Sequence, residues 1–448
     1  MQSERILVMF LAGAVLALSG TVVAETPYEV DWYRQFGTSE HEYTMSVTLD
    51  SAGGLLVSGW TYGDLSGPNA GGRDAYLSRY DSAGDLLWTR QFGTAANDAA
   101  YGACEDGLGN VYITGATYGA LGGPHQGVQD IFVGRYDLEG NQLWMRQLGT
   151  GTTEHGYDVV ADDLGNVFVT GNTFGPLDGI NDGSDDDAFI CKYNATGDLL
   201  WTRELARSTG GGRAEEGNGI ATDGLGNVYV SGFTFGSVGG PNAGLYDAFV
   251  TKYDALGNML WTRQIGSSAS EFSWHHTVTV DSHGNVYLAG NTEGDLDGPN
   301  AGGSDAFLCK YDSIGDLIWK RQWGTDADDT PTAIELDAND YVYVTGVTKG
   351  DLAGPNAGDN DGFAMKFSAS GDILWMTQFG SDAQDVSGDI AVDSSGNLYI
   401  AGDTLGNLGG VNAGMNDGYF AKLVVPEPAV ATLLALGGPA LLRKRKYT

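Results

Sequence analysis

Residues 247–266 read DAFVTKYDALGNMLWTRQIG, and variants of this stretch recur along the whole chain. Each copy has an Asp, an alternating run rich in aromatic residues, a tight Gly turn and a second run containing Trp. The spacings between successive repeated Trp residues are 56, 56, 57, 60, 58 and 56. A regular period of this length indicates a repeat architecture, in which we expect the Trp residues to pack between neighbouring sheets. These residues are Trp32, Trp88, Trp144, Trp201, Trp261, Trp319 and Trp375.

Each repeat contains four runs in which apolar and polar residues alternate. In the second copy the runs are 101–104, 110–115, 130–136 and 142–149. Alternation with a period of two, bounded by Gly, Asn and Asp, predicts short antiparallel strands. The third run of every repeat opens with an aspartate, at Asp74, Asp130, Asp187, Asp247, Asp305, Asp361 and Asp417.

The fourth strand follows the third in only six of the seven repeats. The missing copy stands at the other end of the chain, where residues 29–37 read EVDWYRQFG. A sheet that lacks its outer strand exposes an edge that can aggregate, and closed architectures remove such edges. We therefore expect residues 29–37 to pair with 417–423. The predicted fold is all-β, a seven-bladed β-propeller of four-stranded antiparallel blades closed by the N-terminal strand.

The repeat resembles the bacterial seven-bladed β-propeller (SBBP) repeat family. The resemblance rests on runs such as GNVYVSG at 226–232 and DAFVTKYD at 247–254 with the Gly and Leu-Trp that follow, and it extends over 29–423. It implies the propeller fold and transfers no catalytic residues.

Composition and charge narrow the possible partners. The 448 residues include 70 Gly and 11% aromatic residues, which favours a single turn-rich all-β domain. A net charge of −35 opposes binding to a phosphate backbone, so nucleic acid is not expected as a partner. Cys104, Cys191 and Cys309 are too few and too far apart for a disulfide framework or a zinc site, and we expect buried thiols.

The N-terminus has the pattern of a secretory signal peptide at 1–24. Arg5 precedes an apolar run at 6–18, and small residues at 22–24 precede an expected cut before Glu25. The sequence therefore predicts export, with the propeller at 25–424.

A third segment, 425–448, resembles the PEP-CTERM sorting signal of exosortase-processed bacterial proteins. Pro426, Glu427 and Pro428 precede an apolar run at 429–442 and the basic cluster Arg443, Lys444, Arg445 and Lys446. The apolar run, about 21 Å long as a helix, is short for a bilayer core of about 30 Å. The resemblance implies an exosortase-like processing enzyme as partner, transient inner-membrane association through the tail, and a final location at the cell surface or outside the cell.

An acidic residue recurs in every repeat, in the connection between blades. It predicts seven carboxylates around one mouth of the central channel. Two interpretations stay open: the ring binds calcium or another hard cation through its oxygens, or each carboxylate accepts hydrogen bonds within its own turn. The residues are Glu42, Asp98, Glu154, Glu215, Glu271, Asp329 and Asp385.

The long Gly/Asn loops before the third strands, such as 63–72 and 294–303, are expected on the same face as these connections. That face is predicted to be acidic. The pair His275 and His276, beside Trp274, falls in an inner strand, and the spacing fixes no third metal ligand for it.

No nucleophile and base stand at catalytic spacing in the sequence. We therefore expect a non-catalytic, exported surface or matrix protein that binds a polysaccharide or a protein partner through its acidic loop face. The choice of ligand rests on the sorting-signal resemblance. The competing hypothesis is a propeller hydrolase or lyase that acts on extracellular glycans.

Overall fold

The computed structural model describes residues 28–179, 186–205, 215–223 and 226–425. The predicted signal peptide, the insertion at 208–213 and the sorting tail after Val425 lie outside these ranges. The described residues form strands and turns without a helix. Consequently, this part of the chain offers no apolar helix of membrane-spanning length.

The described strands form seven antiparallel sheets, of which six follow chain order and the seventh is completed by the N-terminal strand. This confirms the predicted seven-bladed propeller.

Strand β1 (Glu29–Phe36) precedes blade 1, which contains β2 (Glu42–Leu49), β3 (Leu55–Thr61), β4 (Asp74–Tyr80) and β5 (Leu86–Phe92). Blade 2 contains β6 (Asp98–Glu105), β7 (Asn110–Thr117), β8 (Asp130–Asp137) and β9 (Gln142–Leu148). Blade 3 contains β10 (Glu154–Ala161), β11 (Val167–Thr173), β12 (Asp187–Tyr193) and β13 (Leu199–Glu204). Blade 4 contains β14 (Glu215–Thr222), β15 (Val228–Thr234), β16 (Asp247–Tyr253) and β17 (Met259–Ile265). Blade 5 contains β18 (Glu271–Phe272), β19 (Val278–Val280), β20 (Val286–Thr292), β21 (Asp305–Tyr311) and β22 (Leu317–Trp323). Blade 6 contains β23 (Asp329–Leu336), β24 (Val342–Thr348), β25 (Asp361–Phe367) and β26 (Ile373–Phe379). Blade 7 contains β27 (Asp385–Val392), β28 (Leu398–Thr404) and β29 (Asp417–Val424).

The apolar core lies between adjacent blades. Leu56 and Leu77 of blade 1 pack against Val111, Ile113 and Phe132 of blade 2, and all five are inaccessible to solvent. The middle strands are therefore covered on both faces, which explains why β15 is buried at every residue. Each blade stabilises its two neighbours through this buried apolar surface.

In four blades the repeated Trp of the outer strand donates a hydrogen bond to a carbonyl of the next blade, from Trp88, Trp144, Trp261 and Trp319. Trp88 Nε1 donates a hydrogen bond of 2.9 Å to the carbonyl of Leu138, and Arg90 Nε donates one of 2.8 Å to Gly140. The Arg90 guanidinium also lies 5.1 Å from the Trp88 ring centroid. Gly140 has φ 77°, and a Cβ there would lie 2.9 Å from the Trp88 ring, so the turn requires glycine.

The N-terminal strand closes the ring. Strand β1 pairs antiparallel with β29, with Trp32 opposite Lys422 and Phe36 opposite Gly418. The sheet order β1-β29-β28-β27 makes β1 the outer strand of blade 7. This confirms the predicted pairing of residues 29–37 with 417–423.

The inner strands are longer than predicted and irregular. In blade 2 the inner strand begins at Asp98, three residues before the predicted Tyr101. A register shift occurs near the start of every unbroken inner strand, for example between Ala100 and Gly102. In blade 5 the strand is interrupted between β18 and β19. The physical reason is an insertion of two residues, since 14 positions separate Glu271 from Asn285 where 12 separate Asp98 from Asn110.

Candidate functional site: a cavity on the loop face

One face of the propeller carries the connections between blades, such as 93–97, and the loops from the second to the third strand, such as 62–73. We call it the loop face. These two sets of segments contact each other directly, because the N–H of Asp98 donates a hydrogen bond of 2.7 Å to the carbonyl of Arg73 in the preceding blade. The equivalent bond recurs at all seven blade junctions. The loop face is therefore a continuous ring of backbone contacts.

The structure places the seven repeated acidic residues at the first position of the inner strands, on the loop face. Their side chains are buried, at most 1% exposed, and the hydrogen bonds described for them come from residues close by in the sequence or on the paired strand. Glu42 shows the pattern: it accepts bonds of 2.7 Å from the Thr38 N–H, 2.8 Å from the Thr38 hydroxyl and 2.5 Å from the Thr61 hydroxyl. The set is Glu42, Asp98, Glu154, Glu215, Glu271, Asp329 and Asp385.

These contacts correspond to the second interpretation of the acidic position, in which each carboxylate accepts hydrogen bonds within its own turn. Burial raises the pKa of Glu42, and the Thr61 and Thr38 donors lower it. The carboxylate ties strand one to the end of strand two and to the preceding connection. Calcium binding by these residues stays a prediction.

The aspartates that open the third strands are also buried, and they organise the loops before them. Asp74 Oδ2 accepts hydrogen bonds of 2.9 Å from the Ala70 N–H and 3.0 Å from the Gln91 side chain. The glutamine bond recurs in six blades, from Gln35, Gln91, Gln147, Gln264, Gln322 and Gln378.

Blade 3 departs from this pattern because Glu204 replaces the glutamine. Burial, followed by the charges of Asp178 and Asp187, raises the pKa of Glu204 from 4.5 to about 7. Between pH 4.5 and about 7, Glu204 therefore binds a proton in the folded state that it does not hold in the unfolded state. The stabilisation from this proton is complete below pH 4.5 and is lost as the pH rises through about 7.

We expect Glu204→Gln to raise the free energy of unfolding by about 1 kcal/mol at pH 8, since the amide can donate to Asp187 as its counterparts do. The gain should disappear below pH 4.5. Urea unfolding at the two pH values measures both effects, with Glu40→Gln as an exposed control. A variant no more stable than the wild type at pH 8 would contradict this role.

Charged side chains fill part of the central channel. His276 of blade 5 lies with Nδ1 3.1 Å from Asp158 Oδ1 of blade 3. Asp158 Oδ2 also accepts a 3.0 Å bond from the Ile220 N–H of blade 4. Asp389 of blade 7 accepts a 2.9 Å bond from the Val47 N–H of blade 1. Buried carboxylates therefore join blades 3, 4 and 5, and blades 7 and 1, through the channel.

The two histidines have opposite electrostatic surroundings. Burial alone would lower the pKa of His276, but the charges of Asp158 and Asp389 raise it above the usual range. Burial and the neighbouring His276 lower the pKa of His275 to about 4. Burial raises the pKa of Glu335, which also faces His276, to about 7. At neutral pH the channel thus holds a His276 cation among carboxylates and a neutral His275.

The interrupted strand of blade 5 positions the aromatic wall of a cavity. The Ser273 and Thr277 hydroxyls lie 2.7 Å apart and close the irregular segment, in which His276 has φ 54°. Trp274 Nε1 donates a 2.6 Å hydrogen bond to Asn291 Oδ1. Phe272 stacks on Trp274 with ring centroids 5.7 Å apart. The irregular segment thus holds Trp274 on the loop face and the two histidines in the channel.

The cavity has a volume of about 680 Å³ and spans blades 5 to 7. Phe272 and Trp274 form its aromatic side. Its polar side includes Glu293, Asp328 and Lys349, and the last two form a 2.8 Å ion pair. A concave site of this size with aromatic walls and a few polar groups is suited to a small ligand or one unit of a polymer.

Sequence reasoning did not find this site. It named Trp274 only as a neighbour of the two histidines, and it did not single out Glu293, Lys349, Asp158 or Asp389. The available signal was the spacing of 58 between Trp261 and Trp319, which exceeds the commonest spacing by two. The two additional residues are the ones that interrupt the inner strand of blade 5.

Two further expectations concern metal and thiol chemistry. Cys191 and Cys309 are buried, Cys104 is partly buried, and all three are free thiols. Within the described ranges, one group of three potential metal ligands occurs, Asp281, His283 and Asp340, on the face opposite the loop face. Lys310 Nζ lies 3.2 Å from Asp281 Oδ2, so an ammonium already neutralises that carboxylate.

Comparisons with known proteins agree with this architecture. Regulatory protein FlaEY of Caulobacter vibrioides is 28% identical over 174 residues, which is 35% of this chain and 18% of that protein. An uncharacterized WD repeat-containing protein of Acanthamoeba polyphaga mimivirus is 22% identical over 467 residues, 83% of this chain and 31% of that protein. The chain thus spans less than a third of the length of these relatives.

The similarity of this chain to solved structures supports its fold and nothing beyond the fold. The WD40 domain of Neurospora crassa Pan2 superimposes with a TM-score of 0.50 at 8% identity, covering 89% of this chain and 97% of that one. Four segments of the chain, 143–178, 200–236, 260–297 and 374–409, match the family described as SBBP, beta-propeller repeat. The chain therefore carries SBBP beta-propeller repeats within a seven-bladed propeller.

Proposed function

We propose that the protein is an exported surface or matrix propeller that binds a polysaccharide in the loop-face cavity without chemical turnover. The observation that carries the proposal is the pair Phe272 and Trp274, stacked on each other and lining a cavity of about 680 Å³. Aromatic faces pack against the C–H surface of a sugar ring, while nearby carboxylates and amides can bond its hydroxyls.

A polysaccharide fits this site better than a protein partner. Stable protein interfaces bury about 800 Å² on each side, whereas the cavity is concave and partly polar. Export and C-terminal processing by an exosortase-like enzyme rest on the sequence patterns at 1–24 and 425–448. They would bring the propeller to the compartment where polysaccharides accumulate.

We expect Trp274→Ala to weaken glycan binding by about tenfold or more, because it removes the main stacking surface. The measurement is a glycan array followed by calorimetric titration of each bound glycan. Trp60→Ala is the matched control, since Trp60 lies in blade 1 and does not line the cavity. Equal affinity of the Trp274→Ala variant and the wild type would contradict the assignment of the site.

A second candidate function, cleavage of glycans, is favoured by one observation. Burial, followed by the charge of Glu216, raises the pKa of Asp186 to about 8. A carboxyl that stays protonated at neutral pH beside a second carboxylate has the properties of a general acid. Release of reducing ends by the wild type and not by Asp186→Asn would favour this function. Binding without release of reducing ends supports the non-catalytic one.

A further inference from the structure

We infer that the cavity takes a cationic amino sugar, a unit of a polymer whose amines are free and not acetylated. The inference rests on the proposed function and names the chemical class of its ligand. It comes from the balance of hydrogen-bond donors and acceptors on the cavity wall and from the charge around it.

The wall offers acceptors in excess. Glu293 is exposed and makes no salt bridge within the described part of the chain. Asn360 lines the cavity, and its Oδ1, which is buried within the protein, has no hydrogen-bond partner among the described residues. Asn291 Oδ1 is already occupied by Trp274. A ligand that complements this wall must therefore bring donors.

Among the described residues that line the cavity, one carries an ammonium, and it is already paired with a carboxylate. Lys349 Nζ lies 2.8 Å from Asp328 Oδ2. The hydrogen bond and charge of Asp328, together with the charge of Asp359, raise the pKa of Lys349. Lys349 and Asp328 together thus add no net charge to the wall. Glu293 leaves the charged groups on the wall with a net negative charge.

A sugar ammonium meets both requirements. It supplies three donors and one positive charge. It can also approach the face of Trp274, where a cation is attracted to the ring. The net charge of −35 on the chain attracts polycations and opposes polymers of uronic acids.

The test is calorimetric titration of the full-length chain with four hexasaccharides at pH 5.5. The probes are glucosamine, N-acetylglucosamine, glucose and galacturonate hexamers. We expect the glucosamine hexamer to bind at least about tenfold more tightly than the N-acetylated one, and its affinity to fall with added salt. The galacturonate hexamer should bind most weakly.

Glu293→Gln should reduce affinity for the glucosamine hexamer by about fivefold or more and leave the N-acetylated hexamer within about twofold, because it removes charge and keeps an acceptor. Glu40→Gln is the matched control, an exposed acid on the loop face outside the cavity. Equal binding of the glucosamine and N-acetylglucosamine hexamers would overturn this inference while leaving the proposed function intact. If none of the four probes binds, the inference is overturned, and if no glycan of the array binds either, the proposed function is overturned as well.

Discussion

Replacing Asp158 with alanine is expected to lower the free energy of unfolding by about 3–5 kcal/mol, the cost of removing one partner from a buried ion pair. His276 would lose the acceptor 3.1 Å from Nδ1 and would have to stay charged without it or give up its proton. The Ile220 N–H of blade 4 would lose its acceptor in the same step. One substitution thus affects three blades, and urea unfolding at pH 7 measures the loss.

Asp389→Ala provides the matched control for this effect. Asp389 stands at the equivalent position of blade 7 and accepts the Val47 N–H, but its direct hydrogen bonds are to backbone N–H groups, and it acts on His276 only through its charge at longer range. We expect a smaller loss of about 1–3 kcal/mol, that of a buried hydrogen bond. Equal losses in the two variants would show that the His276 pair contributes nothing specific.

The same pair predicts how stability depends on pH. Because the pKa of His276 is raised on folding, its contribution is complete below the ordinary value of 6.5 and is lost as the pH rises above it. The raised pKa of Glu335 acts in the same direction, since its buried carboxylate loses a proton near pH 7. We expect the melting temperature to fall between pH 6.5 and pH 9, and to fall less in His276→Gln.

Removal of residues 1–37 is expected to abolish the stable monomer. Without β1, strand β29 would expose its hydrogen-bonding edge along the seven paired positions from Gly418 to Val424. The aromatic contact of Trp32 with Phe420, at 5.6 Å between ring centroids, would also be lost. An exposed edge of this length pairs with other chains, so the truncated protein should aggregate.

Size-exclusion chromatography of the truncated chain measures this outcome. Adding a peptide of residues 28–37 should restore part of the monomer, since it supplies the missing strand. The control removes residues 1–24 only, which leaves β1 intact. A truncated chain that stays monomeric with an unchanged melting temperature would show that ring closure is not needed for stability.

The features predicted correctly from the sequence are those set by the repeat itself. The Trp spacing fixes the number of blades, and the missing fourth strand fixes where β1 must pair. Both follow from local alternation and from the requirement that sheet edges be covered. The structure adds the internal hydrogen bonds of the acidic residues, for example between Glu42 and Thr38 four positions earlier.

The cavity and the channel cluster could not be predicted because they depend on differences between repeats. His276 and Asp158 are 118 positions apart and lie in non-adjacent blades. No periodicity indicates which inner-strand side chains face each other across the channel. Likewise, the interruption of the inner strand of blade 5 follows from two inserted residues that the other blades lack. The proposed binding site thus lies where one blade departs from the other six.

The most direct test of the account is a crystal structure of the protein soaked with the glucosamine hexamer. We predict a sugar ring stacked on Trp274, with its amine within hydrogen-bonding distance of the Glu293 carboxylate. An ordered sugar elsewhere on the protein, with the cavity between Trp274 and Lys349 empty, would contradict the assignment of this cavity as the binding site.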